Sequence, residues 1–502
     1  LCRDPYRYQP MKQLFIGSST RLLFFIFSVV TLHVNDAAEG ASSFTFIRRV
    51  VDQDLYYAAE SRNYREDEDT LFVTTRGGGL KVFNISEPGQ FSPLSRWETS
   101  APVEGQDRLE KEWLVVAELG VGPDGPFPES TGPKLHFLDV AASPNLPERI
   151  SPVASVDLSG SIDAILHVKF LRPSWRPTGE TWVVCTGGFA TSVLGAVVLV
   201  NVTSLLSTPA HWSAEEAARA TSVLSIPAVS QPEGVLVAPL DSRFVYVGGI
   251  NSTSLAIVDV TSFLSPTIVQ VRESVGPQLV AATWKDQPLP LPKGTSRPKK
   301  TRLSYENMLF TDIQEGNDET FDEGLVFMAA WGLKGGLLVL DTNDNESSST
   351  SAANPKEVAR HTDLRLSEAN RVKLAPWAWR GANETAVMAG DGGVAGDLCA
   401  GVAFLPLELE RGGFAALRIP PALNCGRATT QSPNGGGDGE SPLWPAEVVH
   451  VPLSEFVHDD VVAQSTKAYC LALSSSRFVY LFIAETASVY IYRFDGDGTK
   501  MN

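Results

Sequence analysis

The sequence predicts an all-β fold: a seven-bladed β-propeller of four-stranded antiparallel blades, closed by the N-terminal strand. Three observations predict it. A couplet of short strands recurs along the chain, most clearly over residues 241–262 (D-S-R-F-V-Y-V-G-G-I-N-S-T-S-L-A-I-V-D-V-T-S). There Phe244 to Val247 is an apolar, β-branched run, Gly248, Gly249 and Asn251 supply turn chemistry, and Leu255 to Val260 is a second strand. Seven such couplets can be laid out, most with one further apolar segment on each side, and four short strands per repeat describe a blade. Finally, the last couplet has no fourth strand, whereas F-T-F-I-R-R-V-V at 44–51 is a strand without a sheet of its own. A small isolated sheet cannot cover both apolar faces; radial packing buries them against neighbours and leaves only short edges.

In chain order, residues 1–10 precede Met11 and are left out of the fold. From Met11, Lys12 and Arg21 precede an apolar run over 22–32. That run is shorter than the ~18–20 residues that span a bilayer and suits the core of a signal peptide. Ala38 and Gly40 place small residues where a signal peptidase cuts, so residues 1–40 are expected to be removed; a retained N-terminal anchor is the alternative. Residues 41–502 then form a single propeller domain, with a long loop insertion near 285–303. The first strands of the couplets fall at 71–75, 113–117, 182–186, 244–248, 325–330, 385–389 and 478–484. Their partners fall at 80–85, 135–140, 197–202, 255–260, 337–341, 402–407 and 489–494. Segments at 164–171, 234–240, 372–377 and 469–473 precede couplets. Segments at 91–97, 150–158, 222–226, 268–271 and 414–419 follow them. Arg477-Phe478-Val479-Tyr480 repeats Arg243-Phe244-Val245-Tyr246 letter for letter. Asp259 and Thr261 end their strand, because short polar side chains bond their own backbone.

Three stretches resemble LVIVD-repeat proteins: A-W-G-L-K-G-G-L-L-V-L-D ending at Asp341, G-G-G-L-K-V-F-N-I-S-E-P starting at Gly77, and L-A-I-V-D-V starting at Leu255. The resemblance implies a secreted or surface β-propeller, from a family mostly without an assigned activity. Blades six and seven depart from it, since the Asp-Val-Ser ending is replaced by Phe404-Leu405-Pro406-Leu407 and Tyr492-Arg493-Phe494.

A net charge of −17 argues against nucleic acid, whose backbone needs a basic footprint. No stretch after the N-terminal run is long and apolar enough to span a membrane. Five acceptor sequons begin at Asn84, Asn201, Asn251, Asn345 and Asn383 and agree with a secretory route. Asn84 and Asn201 occupy the strand-ending slot held by Asp259, so the repeat's turn motif also spells the modification signal. With strands alternating in direction, Asn84, Asn201, Asn345 and Asn383 share one rim and Asn251 lies on the other. The rim opposite the four is the expected ligand face, with the connections 118–134, 187–195, 275–301, 390–401 and 420–445. Cys399 and Cys425 fall in two loops of blade six on that face and are expected to bridge. Cys185 and Cys470 lie inside strands and are expected to be buried free thiols.

His167, in A-I-L-H-V-K, sits on a strand expected to line the central channel, where a histidine can hold a metal or move a proton. A satisfied structural histidine is the alternative; His136, His211, His361, His450 and His458 are scattered. No zinc spacing, calcium loop, phosphate cradle or nucleophile elbow is present: D-T-N-D-N-E from Asp341 lacks the glycine and final glutamate of a calcium loop. No cofactor is expected. The pattern supports a secreted, glycosylated, monomeric binding or scaffold module taking a protein or carbohydrate ligand on the long-loop rim. The alternative is an extracellular hydrolase or oxidoreductase with a metal-assisted site in the funnel, and the fold alone does not decide.

Overall fold

Strands such as Phe244–Gly248 and Leu255–Asp259 are apolar at nearly every position because both of their faces are buried. A four-stranded sheet made of them needs a neighbour on each side. The computed structural model describes residues 44–494, apart from 121–131, 273–308, 316–324, 343–351, 376–400, 420–447, 452–467 and several shorter stretches. Its strands form seven antiparallel sheets. Blade 1 is Ala58–Tyr64, Asp67–Thr75, Gly79–Asn84 and Ser92–Trp97. Blade 2 is Val103–Leu109, Trp113–Glu118, Lys134–Asp139 and Ala154–Asp157; blade 3 is Ala164–Leu171, Trp182–Phe189, Ser192–Asn201 and Thr221–Ile226. Blade 4 is Gly234–Val237, Phe244–Gly248, Leu255–Asp259 and Thr267–Arg272; blade 5 is Leu309–Glu315, Leu325–Trp331, Gly335–Asp341 and Lys356–Asp363. Blade 6 is Lys373–Ala375, Gly401–Pro406, Phe414–Ile419 and Val448–Val451.

Blade 7 takes three strands from the C-terminal region, Ala468–Leu473, Phe478–Ile483 and Ser488–Phe494, and its outermost strand, Phe44–Val51, from the N-terminal region. The expected closure is therefore present, with Phe44 opposite Phe494 and Val51 opposite Ser488. The core follows the same ring. It divides into seven clusters, each shared by two adjacent blades: Val82 with Val116 between blades 1 and 2, Leu199 with Val258 between 3 and 4, and Ile491 with Phe83 between 7 and 1.

The repeat has a physical basis at its strand ends. Asn84, Asp139, Asn201 and Asp259 each close a third strand, and each side-chain oxygen accepts a bond from the backbone N–H two residues on, at 2.8–3.1 Å. The apolar residue between is buried (Ile85, Val140, Val202, Val260), and its N–H donates to a carbonyl at or near the start of the second strand, at 2.8–3.0 Å. For Val260 that carbonyl is Arg243, and Arg477 does the same for Phe494. The tyrosines of the repeated R-F-V-Y also match: Tyr246 donates to Ala352 O at 2.7 Å and Tyr480 to Gln90 O at 3.1 Å, each reaching the next blade.

Three expectations need correction. Residues 402–407 and 414–419 are the second and third strands of blade 6, not the third and fourth, and pair with Val402 opposite Arg418. Short runs buried on both faces look alike in either position; the segment expected at 385–389 lies outside the described residues. The connections 390–401 and 420–445 therefore join strands at the rim of Asn84 and Asn201, not the opposite one. Residues 187–195 are largely strand, because the hairpin of blade 3 continues to Phe189 and Ser192. Blade 2 also gains a fifth strand, His211–Trp212, which lies parallel to Ala154–Asp157 and comes from the helix-bearing connection of blade 3. There Ser155 Oγ lies 2.9 Å from His211 Nδ1.

Candidate functional site

The first strands of neighbouring blades approach one another around the axis. Five of them carry a register shift near their start, before Glu60, Gln106, His167, Asp312 and Cys470. A bulge re-aims the side chain that follows it. In blades 1 to 3 the re-aimed groups meet. The Gln106 N–H donates to Glu60 Oε2 at 2.9 Å, and its side-chain amide donates to the carbonyls of Phe72 at 3.0 Å and Glu60 at 3.3 Å. Arg62 Nε donates to Glu60 Oε1. His167 Nε2 lies 3.5 Å from Arg62 Nη2 and 3.6 Å from Glu60 Oε1. Nε2 therefore faces a donor and an acceptor at once, while Nδ1 is buried without a hydrogen-bond partner. Gly105 allows this approach, since a Cβ there would stand 3.0 Å from His167 Cα. Arg76 adds a two-point pair from blade 1 to Glu104 of blade 2, at 2.6 and 2.8 Å.

The layer is sealed. Glu60 is 2% exposed, and Gln106 and His167 are 0% exposed. Burial alone pushes the Glu60 carboxyl up, but Arg62, His167 and Arg371 outweigh it and hold the group well below its usual range. Burial is also the largest influence on His167 and pushes its imidazole down; Glu60 pulls the other way, and Arg62 and Arg371 add to the lowering. Both shifts act in one direction on stability. An unfolded His167 takes a proton below about pH 6.5 and an unfolded Glu60 below about 4.3, while the folded state resists both. The melting temperature should therefore fall as pH drops from 7 to 5, and His167→Asn should flatten that fall. Parallel pH–melting curves for the two proteins check this; equal slopes would remove His167 from the effect.

The channel position expected for His167 is thus occupied, but as part of a buried polar plug. His136 pairs instead with Glu118 at 2.8 Å, and His211, His361 and His450 lie on other strands away from it. Among the described residues no three His, Cys, Asp or Glu side chains are grouped to hold a metal ion. Glu60, Arg62 and Gln106 escaped sequence reasoning because their strands read A-A-E-S-R-N-Y and V-E-G-Q-D-R-L, without an apolar run. Cys185 and Cys470 are buried free thiols, as expected; burial raises both, Cys470 to about 12. Asn84 and Asn201 lie half-buried at third-strand ends on the same rim. Asn251, Asn345, Asn383, Cys399 and Cys425, and the segment 1–40, lie outside the described residues.

The strand pairing of this chain defines its class, a seven-bladed β-propeller. Three solved structures align with most of the chain. The β-propeller domain of Cps50 (Swd1) from Myceliophteria thermophila has a TM-score of 0.48 at 8% identity, covering 89% of this chain and 99% of that one. The WD40 β-propeller domain of Doa1 has 0.44 at 9%, covering 89% and 96%. The periplasmic gluconolactonase PpgL of Pseudomonas aeruginosa has 0.43 at 11%, covering 72% and 82%. No family model and no curated protein matches the chain. Among the described residues no helix is long and apolar enough to cross a membrane.

Proposed function

We propose that the chain is a secreted, glycosylated propeller of the LVIVD-repeat type that acts outside the cell as a monomeric binding or scaffold module. The burial of this polar layer in blades 1 to 3 carries the proposal. Glu60, Arg62, Gln106 and His167 are tied up with one another, and a solvent-borne substrate does not reach His167. Recognition is left to the rims. Glycans on Asn84 and Asn201 would crowd one rim, so a protein or carbohydrate ligand is assigned to the other, which holds the connection 118–134 and the start of the one after Arg272.

Expression from Met11 in secreting eukaryotic cells tests the proposal. The protein is expected in the medium, starting near Ala41, with a mass that falls on enzymatic removal of N-glycans. Retention inside the cell, or an unchanged mass, would overturn it. The turn geometry governs which variants can be used. Asn84→Asp removes the glycan but keeps the turn, since Asp139 and Asp259 already make it. Asn84→Gln should lose the turn as well and cost about 1 kcal/mol. Melting curves of glycan-free protein made in bacteria separate the two, with Asn84→Asp expected to melt with the parent.

A further inference from the structure

A recess of about 280 Å³ opens on the rim opposite Asn84 and Asn201, where the closing strand runs into blade 1. Gln53, Asp54, Tyr56, Gly77, Gly78 and Lys81 line it. Its floor is costly to build. Lys81 and Arg96 stand directly opposite on paired strands, and like charges so placed repel. Asp54 balances them at 3.5 Å from each, and Glu98 lies 4.0 Å from Lys81 and 3.4 Å from Arg96. All four separations exceed the 2.7–3.2 Å range of a closed hydrogen bond. Lys81 is 6% exposed, and Arg96 Nε is buried with no hydrogen-bond partner. The four charges are thus held close but not closed on one another.

The walls are also unusual. Tyr56 is 44% exposed, and its ring is braced edge-on by Tyr57 at 4.6 Å. Tyr57 has φ 52°, a strained conformation for a bulky residue. Gly77 lets the hairpin turn pack against Tyr56, since a Cβ there would come within 2.8 Å of Tyr56 O.

We infer that this recess binds a neutral hexose unit of a glycan, with the sugar's C–H face against Tyr56. Its neighbouring hydroxyls donate to Asp54 and accept from Lys81, which Arg96 and Glu98 hold in place from behind the lining. The one cation and one carboxylate of the lining, Lys81 and Asp54, sum to zero, which favours an uncharged ligand over an anion or a cation. Alternating donors and acceptors suit vicinal hydroxyls, each of which does both, and an exposed tyrosine offers a rigid apolar face with little entropy to lose. The inference deepens the binding-module proposal and rests on it for the supply of extracellular glycans.

Saturation-transfer NMR on the full mature chain tests it, with the methyl glycosides of mannose, galactose and glucose as probes and methyl glucuronide and glucosamine as charged comparators. At least one neutral glycoside is expected to bind more tightly than either charged sugar. Tyr56→Ala should weaken binding tenfold or more at an unchanged melting temperature, while Tyr56→Phe retains it; Asp54→Asn should weaken binding as much and also lower the melting temperature, because Lys81 and Arg96 then lose a counter-charge. Lack of binding by every neutral probe, or preference for a charged one, would overturn the inference. So would parent-like binding by a Tyr56→Ala protein that melts with the parent; sugar recognition would then lie elsewhere and the binding-module proposal would stand. Failure of the chain to be secreted would instead sink that proposal without altering the sugar result.

Discussion

Removing residues 41–52 from a chain that begins at Ala41 should leave a protein that melts far below the full one and aggregates as it does so. Phe44 is the anchor: its ring meets Phe414 and Phe494 at 5.1 Å and Phe404 at 6.1 Å, so it inserts between blades 6 and 7. Phe44→Ala alone should cost about 3–5 kcal/mol, as loss of a buried aromatic does. The whole segment adds the ladder to Ser488–Phe494, two bonds from the Arg49 guanidinium to Ser488 Oγ, and the Asp52 N–H bond to Ala487 O. Without it, blade 7 has three strands, its outer edge is open to pairing with other chains, and only the packing of blade 7 on blade 1 joins the ends of the ring. A synthetic peptide of residues 41–52 added to the truncated protein should recover much of the lost melting temperature. A truncated protein that melts with the full chain would show that the ring does not depend on its clasp.

The second and third strands of most blades were legible because burial on both faces gives them continuous apolar runs with turn residues between. The closing strand was legible for a different reason: Phe44–Val51 was left over where blade 7 lacked a strand. The first strands were hidden in proportion to their role at the axis. Ala164–Leu171 and Ala468–Leu473 keep enough apolar residues to be seen, whereas Ala58–Tyr64 and Val103–Leu109 carry the polar plug and lose the pattern. Hydrophobic periodicity reports what is buried against apolar neighbours, and a charge buried against another charge has no such signature. His167 was found because it lies in an apolar strand; Glu60 and Arg62, which set its environment, were not. The recess beside Tyr56 was equally hidden, since it depends on four charges drawn from a short helical turn, two strands and the connection after them. No local pattern joins Asp54 to Arg96.

Glu60→Leu should be among the most damaging single substitutions in the chain. It removes the acceptor of the Arg62 Nε bond and of the Gln106 N–H bond, and leaves the Arg62 guanidinium in a site 9% exposed with Arg371 acting on the same layer. Taking one partner from a buried ion pair typically costs about 3–5 kcal/mol, most of it the penalty of the charge left behind. Glu60→Gln keeps an acceptor and the shape of the side chain, and should cost less. The double variant Glu60→Leu with Arg62→Leu should be less destabilised than the sum of the two single changes, because neither charge remains to be solvated. Denaturant unfolding of the four proteins gives the coupling directly. Additive losses would mean that the two groups reach water independently; the axis would then be open at Glu60, and the ground for assigning recognition to the rims would be gone.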